Sequence, residues 1–191
     1  MRHLALDVIQ DEHRALSAML RSMSLLVTQA KREGHPPDFA VLRAMLFYVD
    51  EFPERLHHPK ESALLFPRLR QHCPALAGTL DRLDAEHARG EAAVRQLAHA
   101  LLAYEVLGAA RQTDFEQAME RYINGYLHHM AVEEAEVLPA ARRTLADADW
   151  AVLDSAFATN RDPLTGHAAD EVFKPLFRKI LMTAPAPVGL G

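Results

Sequence analysis

The strongest constraint on the fold is an apolar pattern of helical period that extends over most of the chain. In residues 4–31, apolar side chains recur three and four positions apart, the spacing of one face of an amphipathic helix. Segments 75–109 and 114–145 show similar rows, and residues 39–70 are predicted as a further helix. No strand-like alternation is long enough to build a sheet. The pattern therefore predicts an all-α fold, an antiparallel up-down-up-down four-helix bundle with short additional C-terminal helices.

We predict two parts of the chain, a four-helix bundle from 1 to 145 and a C-terminal extension from 146 to 191 packed on it. Two short helices are expected in the extension, near 148–158 and 167–181. The Pro/Gly-rich ending TAPAPVGLG is expected to run over the surface.

Prolines and a capping pattern predict where the long helices are interrupted. Pro53 and Pro59 lie inside the second segment and predict a kink or a split there. Thr113 and Glu116 have the spacing of a capping box, which predicts that the fourth helix begins at this point.

Bulk composition excludes several classes of partner. The net charge is −5 and no basic run is present, which excludes a nucleic-acid partner. The N-terminus MRHLALDVIQDEH lacks the apolar core of a signal peptide, and no stretch approaches the ~18 apolar residues of a membrane span. The single cysteine, Cys73, excludes an intrachain disulfide and fits a reducing compartment. We therefore expect a cytoplasmic protein without a membrane partner, and leave a homodimer open.

A histidine and glutamate pattern occurs twice in the chain. Eleven histidines are present, and three of them replace apolar residues in the helical rows. Each copy has a lone histidine, then, 44 or 42 residues later, a second histidine with a glutamate four positions on. The two copies consist of His13, His57 and Glu61, and of His87, His129 and Glu133. Two helical hairpins related by a pseudo-twofold axis would bring all six side chains to the centre of a bundle.

Six such side chains are what a two-metal site requires. A histidine and a glutamate at i and i+4 lie on one helix face, so both can reach the same ion pair. Two carboxylates can bridge two metals while four imidazoles provide terminal nitrogens. Mixed ligation with open positions suits iron or manganese better than structural zinc, which is usually tetrahedral and closed. A buried carboxylate without a cation would be costly.

On these residues the sequence resembles the hemerythrin-like family, the HHE cation-binding domain, over roughly 1–145. The resemblance rests on HHPKE, on EEAEVLP and on the lone histidines of the repeat. It implies an oxo-bridged non-haem di-iron centre that binds O₂ or a related small ligand, with manganese or zinc as substitutes. It also implies that His13 and His57 hold one iron, that His87 and His129 hold the other, and that Glu61 and Glu133 bridge them.

Two departures from the oxygen-carrying members affect the expected chemistry. The carriers have an additional histidine four residues from the third-helix ligand, where this chain has Leu83 and Glu91. Their last carboxylate is an aspartate at i+5, where this chain has a glutamate at i+4. With fewer histidines, one iron has an open position. The departures favour peroxide or nitric oxide chemistry, or sensing, over reversible oxygen carriage.

Residues near the six ligands are candidates for hydrogen-bonding partners. Tyr122, Tyr126 and Glu54 share helix faces with the ligands, and Glu91 lies four residues after His87. Tyr126 is either such a partner or a phenolate ligand.

His58 and His128 adjoin ligands but point about 100° away around an α-helix. We therefore expect both of them to be surface imidazoles, and they are the alternative ligands if the helical register is shifted by one residue.

Two other functions were weighed against a reactive di-iron centre. A ferritin-like carboxylate enzyme requires Glu-x2-His on two helices, and only Glu54 and His57 match. A non-catalytic role in iron storage or sensing, or as a metal-stabilised interaction module, uses the same ligands. The sequence assigns no catalytic residue and leaves open whether the protein is an enzyme.

Overall fold

The computed structural model describes residues 3–190, and every regular element within that range is helical. Four long helices are followed by two short ones. They are α1 (Leu4–Glu33), α2 (39–72), α3 (Ala77–Leu107), α4 (112–144), α5 (Asp147–Phe157) and α6 (Lys174–Thr183). The all-α helical bundle is thus confirmed, while the up-down-up-down order of the helices stays a prediction. None of the described helices is long and apolar enough to cross a membrane.

Helix α2 stays helical through its prolines by changing its hydrogen-bond pattern. It consists of α-helical Phe39–Val49, π-helical Asp50–His57, the α turn His58–Lys60, π-helical Glu61–Leu65 and α-helical Phe66–His72. Proline has no backbone N–H to donate, so the α-helical ladder cannot continue unchanged past it. Pro53 lies inside the first π segment, and Pro59 and Pro67 each follow one closely. The interruption predicted at Pro53 and Pro59 is therefore a π-helical widening, a feature common at functional sites.

Helix α4 repeats this feature once. It is α-helical over Gln112–Val132, π-helical over Glu133–Val137 and α-helical again over Leu138–Thr144. Pro139 follows the π segment. Both π segments that begin at a glutamate of the repeat therefore end just before a proline.

The predicted capping box at the start of α4 is wrong. Thr113 lies inside the helix, since a 3₁₀ turn at Gly108–Arg111 leads directly into Gln112. Glu116 instead accepts hydrogen bonds from Lys31 and from the side chain of Gln112, each at 2.7 Å. Glu116 therefore pairs with Lys31 on α1 and does not cap the start of α4.

The core consists of two apolar clusters separated by a polar layer. One cluster includes Met19, Met45 and Phe115, and the other includes Ile9, Phe66 and other side chains nearer the opposite end of the bundle. On each long helix the histidines and glutamates of the repeat fall between the two clusters. Tightly packed apolar layers on both sides hold the polar layer in place.

The extension packs on the bundle through both of its short helices and its tail. Asp154 of α5 accepts a hydrogen bond from the backbone N–H of Ala5 at 2.8 Å. Phe177 of α6 packs edge-on against Tyr48 and Phe52, with ring centroids 5.9 and 5.5 Å apart. The Oγ of Ser22 donates to the carbonyl of residue 185 at 2.8 Å and thereby ties the tail to α1.

The second predicted helix of the extension begins later than expected. Residues 167–170 have no regular structure, residues 171–173 form a turn, and α6 runs from Lys174 to Thr183 with Pro175 in its first turn. Proline is favoured at that position because its missing N–H has no intrahelical partner there.

Candidate metal centre

All six predicted ligands lie together in the polar layer. In the first half of the repeat, His57 Nε2 lies 3.2 Å from Glu61 Oε2. His13 Nε2 lies 3.3 Å from Glu133 Oε2, across the boundary between the two copies. We call His13 and His57 the first half of the site. The two carboxylates lie between this pair and the histidines of the second copy.

His87 and His129 form the second half of the site. His129 Nε2 lies 3.2 Å from Glu133 Oε1. His87 Nε2 lies 3.6 Å from Glu61 Oε2 and 3.7 Å from Glu133 Oε1. The two Nε2 atoms of this half are 2.9 Å apart. Each glutamate is therefore near imidazoles of both halves, the arrangement that a bridging carboxylate needs.

The carboxylates have no hydrogen bond that would satisfy them. Glu61 and Glu133 are both 0% exposed, and none of their four carboxylate oxygens has a hydrogen-bond partner. The Nε2 of His57 also lacks one. Unpaired buried carboxylates cost several kcal/mol, so this donor set fits cations of the iron or manganese type.

The charge states of the two glutamates differ. Burial alone would raise the pKa of Glu133, but His129 and His13 beside it hold that pKa well below its usual range. Burial and the adjacent charge of Glu133 raise the pKa of Glu61. Without a cation, one negative charge rests with the surrounding imidazoles and the second is disfavoured.

The imidazoles of the second half also differ in charge state. Burial lowers the pKa of His129, but Glu133 and Glu86 outweigh it and raise that pKa to about 9. Burial, together with the neighbouring His58, lowers the pKa of His87 to about 2. His87 is therefore neutral at pH 7 and offers a lone pair, whereas His129 must lose a proton before it can bind a metal.

Every predicted ligand histidine has its other ring nitrogen held by a polar side chain. The Nδ1 partners are Glu134 for His13 at 3.1 Å, Glu12 for His57 at 2.7 Å, Ser62 for His87 at 2.8 Å and Glu86 for His129 at 2.7 Å. Such partners fix the ring orientation and direct the Nε2 atom toward the centre.

These partners obey the same internal repeat as the ligands. Glu12 precedes His13 in sequence and bonds to His57 on the next helix. Glu86 occupies the equivalent position in the second copy and bonds to His129. The shared Glu-His dipeptide of the two copies is the sequence signal for these partners.

The residues after the two carboxylates are equivalent in position but not in kind. Ser62 follows Glu61 and holds His87 through a hydroxyl group. Glu134 follows the second carboxylate and holds His13 through a charged group. The second half is thus less strongly charged at this position.

His58 is the main correction to the predicted site. It was expected at the surface, yet it is 6% exposed and its ring stacks on His87 with centroids 4.1 Å apart. The π-helical segments on both sides of His58 change the angular register, so that both it and His57 face inward. Its nitrogen atoms come close enough to those of His87 and His129 for the three to hold one ion. His128 is exposed, as predicted.

Glu54 and the two tyrosines surround His58, so their predicted role as partners of the six ligands stays a prediction. Tyr126 donates to Glu54 Oε1 at 2.9 Å, and Tyr122 lies 3.5 Å from the same atom. His58 is hydrogen-bonded to Glu54 through Nδ1 and to Tyr126 through Nε2, both at 3.1 Å. A Cβ atom at Gly90 would lie 2.0 Å from Glu54 Oε2, so a side chain there would displace the Glu54 carboxylate from its present position.

The prediction for Glu91 is wrong. Its side chain is half exposed and pairs with Arg95 at 2.7 Å, one turn along the outside of α3. The spacing of four residues from His87 therefore does not bring Glu91 to the ligands.

The two halves differ most in what covers them. Beside the first half, only a cavity of about 10 Å³ remains, lined by Phe52, Leu56 and Asp162 among others. Beside the second half, a cleft of about 290 Å³ opens between α3 and α4. Among the residues that line the cleft are His87, His129, His58, Gly90 and Gly125, with Arg89 and Arg121 at its mouth.

Sequence comparisons with known proteins give a family match and a relative. The model of the hemerythrin HHE cation binding domain matches residues 4–141. An uncharacterized protein of Haemophilus influenzae is 27% identical over 124 residues, which cover 64% of this chain and 70% of that relative. No solved structure matches the chain. Because the family match covers well over half of the chain, the protein belongs to the hemerythrin HHE cation-binding family.

Proposed function

We propose that the protein holds two iron ions between the two halves of the repeat and that the centre binds or reacts with O₂, peroxide or nitric oxide. The observation that carries the proposal is the pair of fully buried glutamates, Glu61 and Glu133, whose oxygens face four imidazoles without a hydrogen bond. Family membership supports a cation at this position. Manganese or zinc would use the same ligands as substitutes.

Each half would provide two imidazole nitrogens to one ion, and both glutamates would bridge. An iron pair would supply a redox-active centre with room for a small exogenous ligand. The six ligand groups come from four helices, so the apolar clusters above and below fix their positions. The Nδ1 partners hold each ring in place, so little reorganisation accompanies metal binding.

Residues around the second half would determine the proton supply. Burial raises the pKa of Glu54 to about 7, so this group can hold a proton near neutral pH. Tyr126 lies between Glu54 and His58 and hydrogen-bonds with both. The three groups therefore provide a hydrogen-bond donor beside the centre. A Tyr126→Phe variant that leaves peroxide consumption unchanged would reduce that residue to a packing role.

The proposal is tested by loading the metal-free protein with ferrous iron without oxygen and then admitting O₂. We expect rapid oxidation, an absorption band in the near ultraviolet and visible range, and a change of that band with azide or peroxide. A long-lived oxygen adduct that is released under vacuum would contradict the reactive role. Iron that binds but never responds to these ligands would favour storage or sensing instead.

A further inference from the structure

The cleft beside the second half gives a wide approach to the centre. Its volume of about 290 Å³ admits molecules of several atoms, and its inner wall includes His87 and His129. On the opposite side, the cavity of about 10 Å³ holds about one water molecule. Of these two cavities, only the cleft admits a ligand larger than water.

Two glycines keep this route open. Gly125 on α4 lines the cleft and is exposed, and a Cβ atom built there meets nothing within 4 Å. Gly90 faces it from α3, where any side chain would collide with Glu54. Glycine in a helix interior costs up to ~1 kcal/mol relative to alanine, so a side chain at position 125 would be tolerated by the fold.

Two arginines at the mouth of the cleft form no ion pair with the acids that also line it. Arg89 and Arg121 both line it, both are exposed, and neither has an ion pair or hydrogen bond among the described residues. The acids nearby are engaged elsewhere, since Glu86 is hydrogen-bonded to His129 and Glu54 accepts from Tyr126. In a chain of net charge −5, two free guanidinium groups at one opening attract anions.

We infer that the cleft between α3 and α4 is the entrance and holding site for small anions on their way to the second half of the site. This inference rests on the proposed metal centre. Arg89 and Arg121 raise the encounter rate, and the space above Gly125 admits the anion to His87 and His129. The first half receives no exogenous ligand of this size.

The route is tested with azide as the probe and the iron-loaded, oxidised protein. Gly125→Leu should fill the cleft and slow azide binding, followed by stopped-flow absorption, at least tenfold. The matched control is Gly78→Leu, another exposed glycine of a long helix with no atom within 4 Å of its Cβ. Leu56→Trp, which narrows the small cavity of the first half, should leave the rate unchanged.

The charge is tested separately. Arg89→Gln with Arg121→Gln should slow azide binding severalfold and reduce its dependence on ionic strength. The control pair, Arg82→Gln with Arg142→Gln, changes the net charge equally at two exposed positions outside the cleft. It should change neither the rate of azide binding nor its dependence on ionic strength. Binding of nitric oxide, which is neutral, should be insensitive to both pairs.

The results separate this inference from the proposed function. If the parent protein binds no iron, or binds iron without any azide response, the metal centre itself is refuted. If the parent responds but Gly125→Leu binds azide at the parental rate, or Leu56→Trp slows it instead, the route is refuted. If only the arginine pair has no effect, the preference for anions is refuted. Equal iron content and melting temperature in all variants exclude misfolding as the cause.

Discussion

The two halves of the site have the same ligands in the same order but different surroundings. His57 is followed four residues later by Glu61, and His129 is followed in the same way by Glu133. The small cavity beside the first half is lined by α1, α2 and Asp162 of the extension, whereas the second half faces the cleft. A sequence repeat can therefore provide a symmetric ligand set, while residues outside the repeat make its two sides unequal.

Closure of the first half depends on residues beyond the span matched by the family. Asn160 donates to Glu12 Oε2 at 3.0 Å, and Glu12 in turn holds His57 at 2.7 Å. Asp162 lines the small cavity and accepts a hydrogen bond from Tyr48 at 2.5 Å. In the second half, none of the described residues of the extension, 146–190, lines the cleft.

The largest expected effect comes from removing either of the two carboxylates that both halves of the site share. Glu61→Ala and Glu133→Ala should each lose most bound metal from both halves, because each carboxylate lies between them. Metal analysis after gel filtration measures this. His128→Ala changes an exposed imidazole and should retain the metal. If His128→Ala empties the site and His129→Ala does not, the placement of ligands on α4 is wrong.

The next largest effect should be a loss of metal affinity in one half of the site and not in the other. Removing the Nδ1 partner with Glu12→Ala or Glu86→Ala should weaken metal binding by roughly 10- to 100-fold, each mainly in its own half. Competition with a chelator, followed for both ions, measures the affinities. Glu91→Ala removes an equal charge on the surface and serves as the control. Equal weakening in all three variants would mean that net charge, not ring orientation, is responsible.

A smaller effect is expected from the extension alone. Asn160→Ala removes one hydrogen bond to Glu12, worth about 1 kcal/mol, and should weaken metal binding to the first half by about fivefold. The chelator competition should show the second ion unchanged. Thr159→Ala, at the neighbouring exposed position, is the matched control. A loss in the second half as large as in the first would contradict the assignment of the extension to one side.

The smallest effect concerns pH. Burial raises the pKa of Asp162 to about 6, although the hydrogen bond from Tyr48 opposes the shift. A carboxyl group whose folded-state pKa is raised favours folding when protonated, so the parent should lose stability as pH rises from about 4 to 6. Asp162→Asn should lack this loss, gaining about 1–2 kcal/mol relative to the parent between pH 4 and 7.

Urea unfolding of the metal-free parent and of Asp162→Asn at pH 4 and at pH 7 measures the difference in their free energies of unfolding. A constant difference between the two proteins would show that Asp162 is already ionised in the folded state at pH 4. It would then have no part in the pH response of the closed side.

The sequence predicted the helical bundle and the grouping of the six ligands because both depend on regular spacing. Apolar rows of helical period and two copies of His-x3-Glu are visible without coordinates. The same regularity led to the error at His58, because a strict α-helical register places it on the surface. The π segments around it could have been suspected from Pro53 and Pro59, but their effect on side-chain direction could not be calculated from spacing.

The sequence pattern does not predict contacts between distant segments of the chain. Asn160 and Glu12 are 148 residues apart, and nothing in the sequence links them. Glu91 has the right spacing from His87, but α3 has no π segment there, and the glutamate pairs with Arg95 on the surface. Regular elements were predictable from local sequence, whereas the difference between the two halves arises from tertiary packing.

The most direct test of the central claim is the iron content of the protein loaded anaerobically with ferrous iron and freed of excess metal. We expect about two iron ions per chain, the number required by a two-metal site bridged by carboxylates. The same measurement on Glu61→Ala should give a value near zero. A reproducible single zinc ion per chain, or iron retained in full by Glu61→Ala, would contradict a centre shared by the two halves.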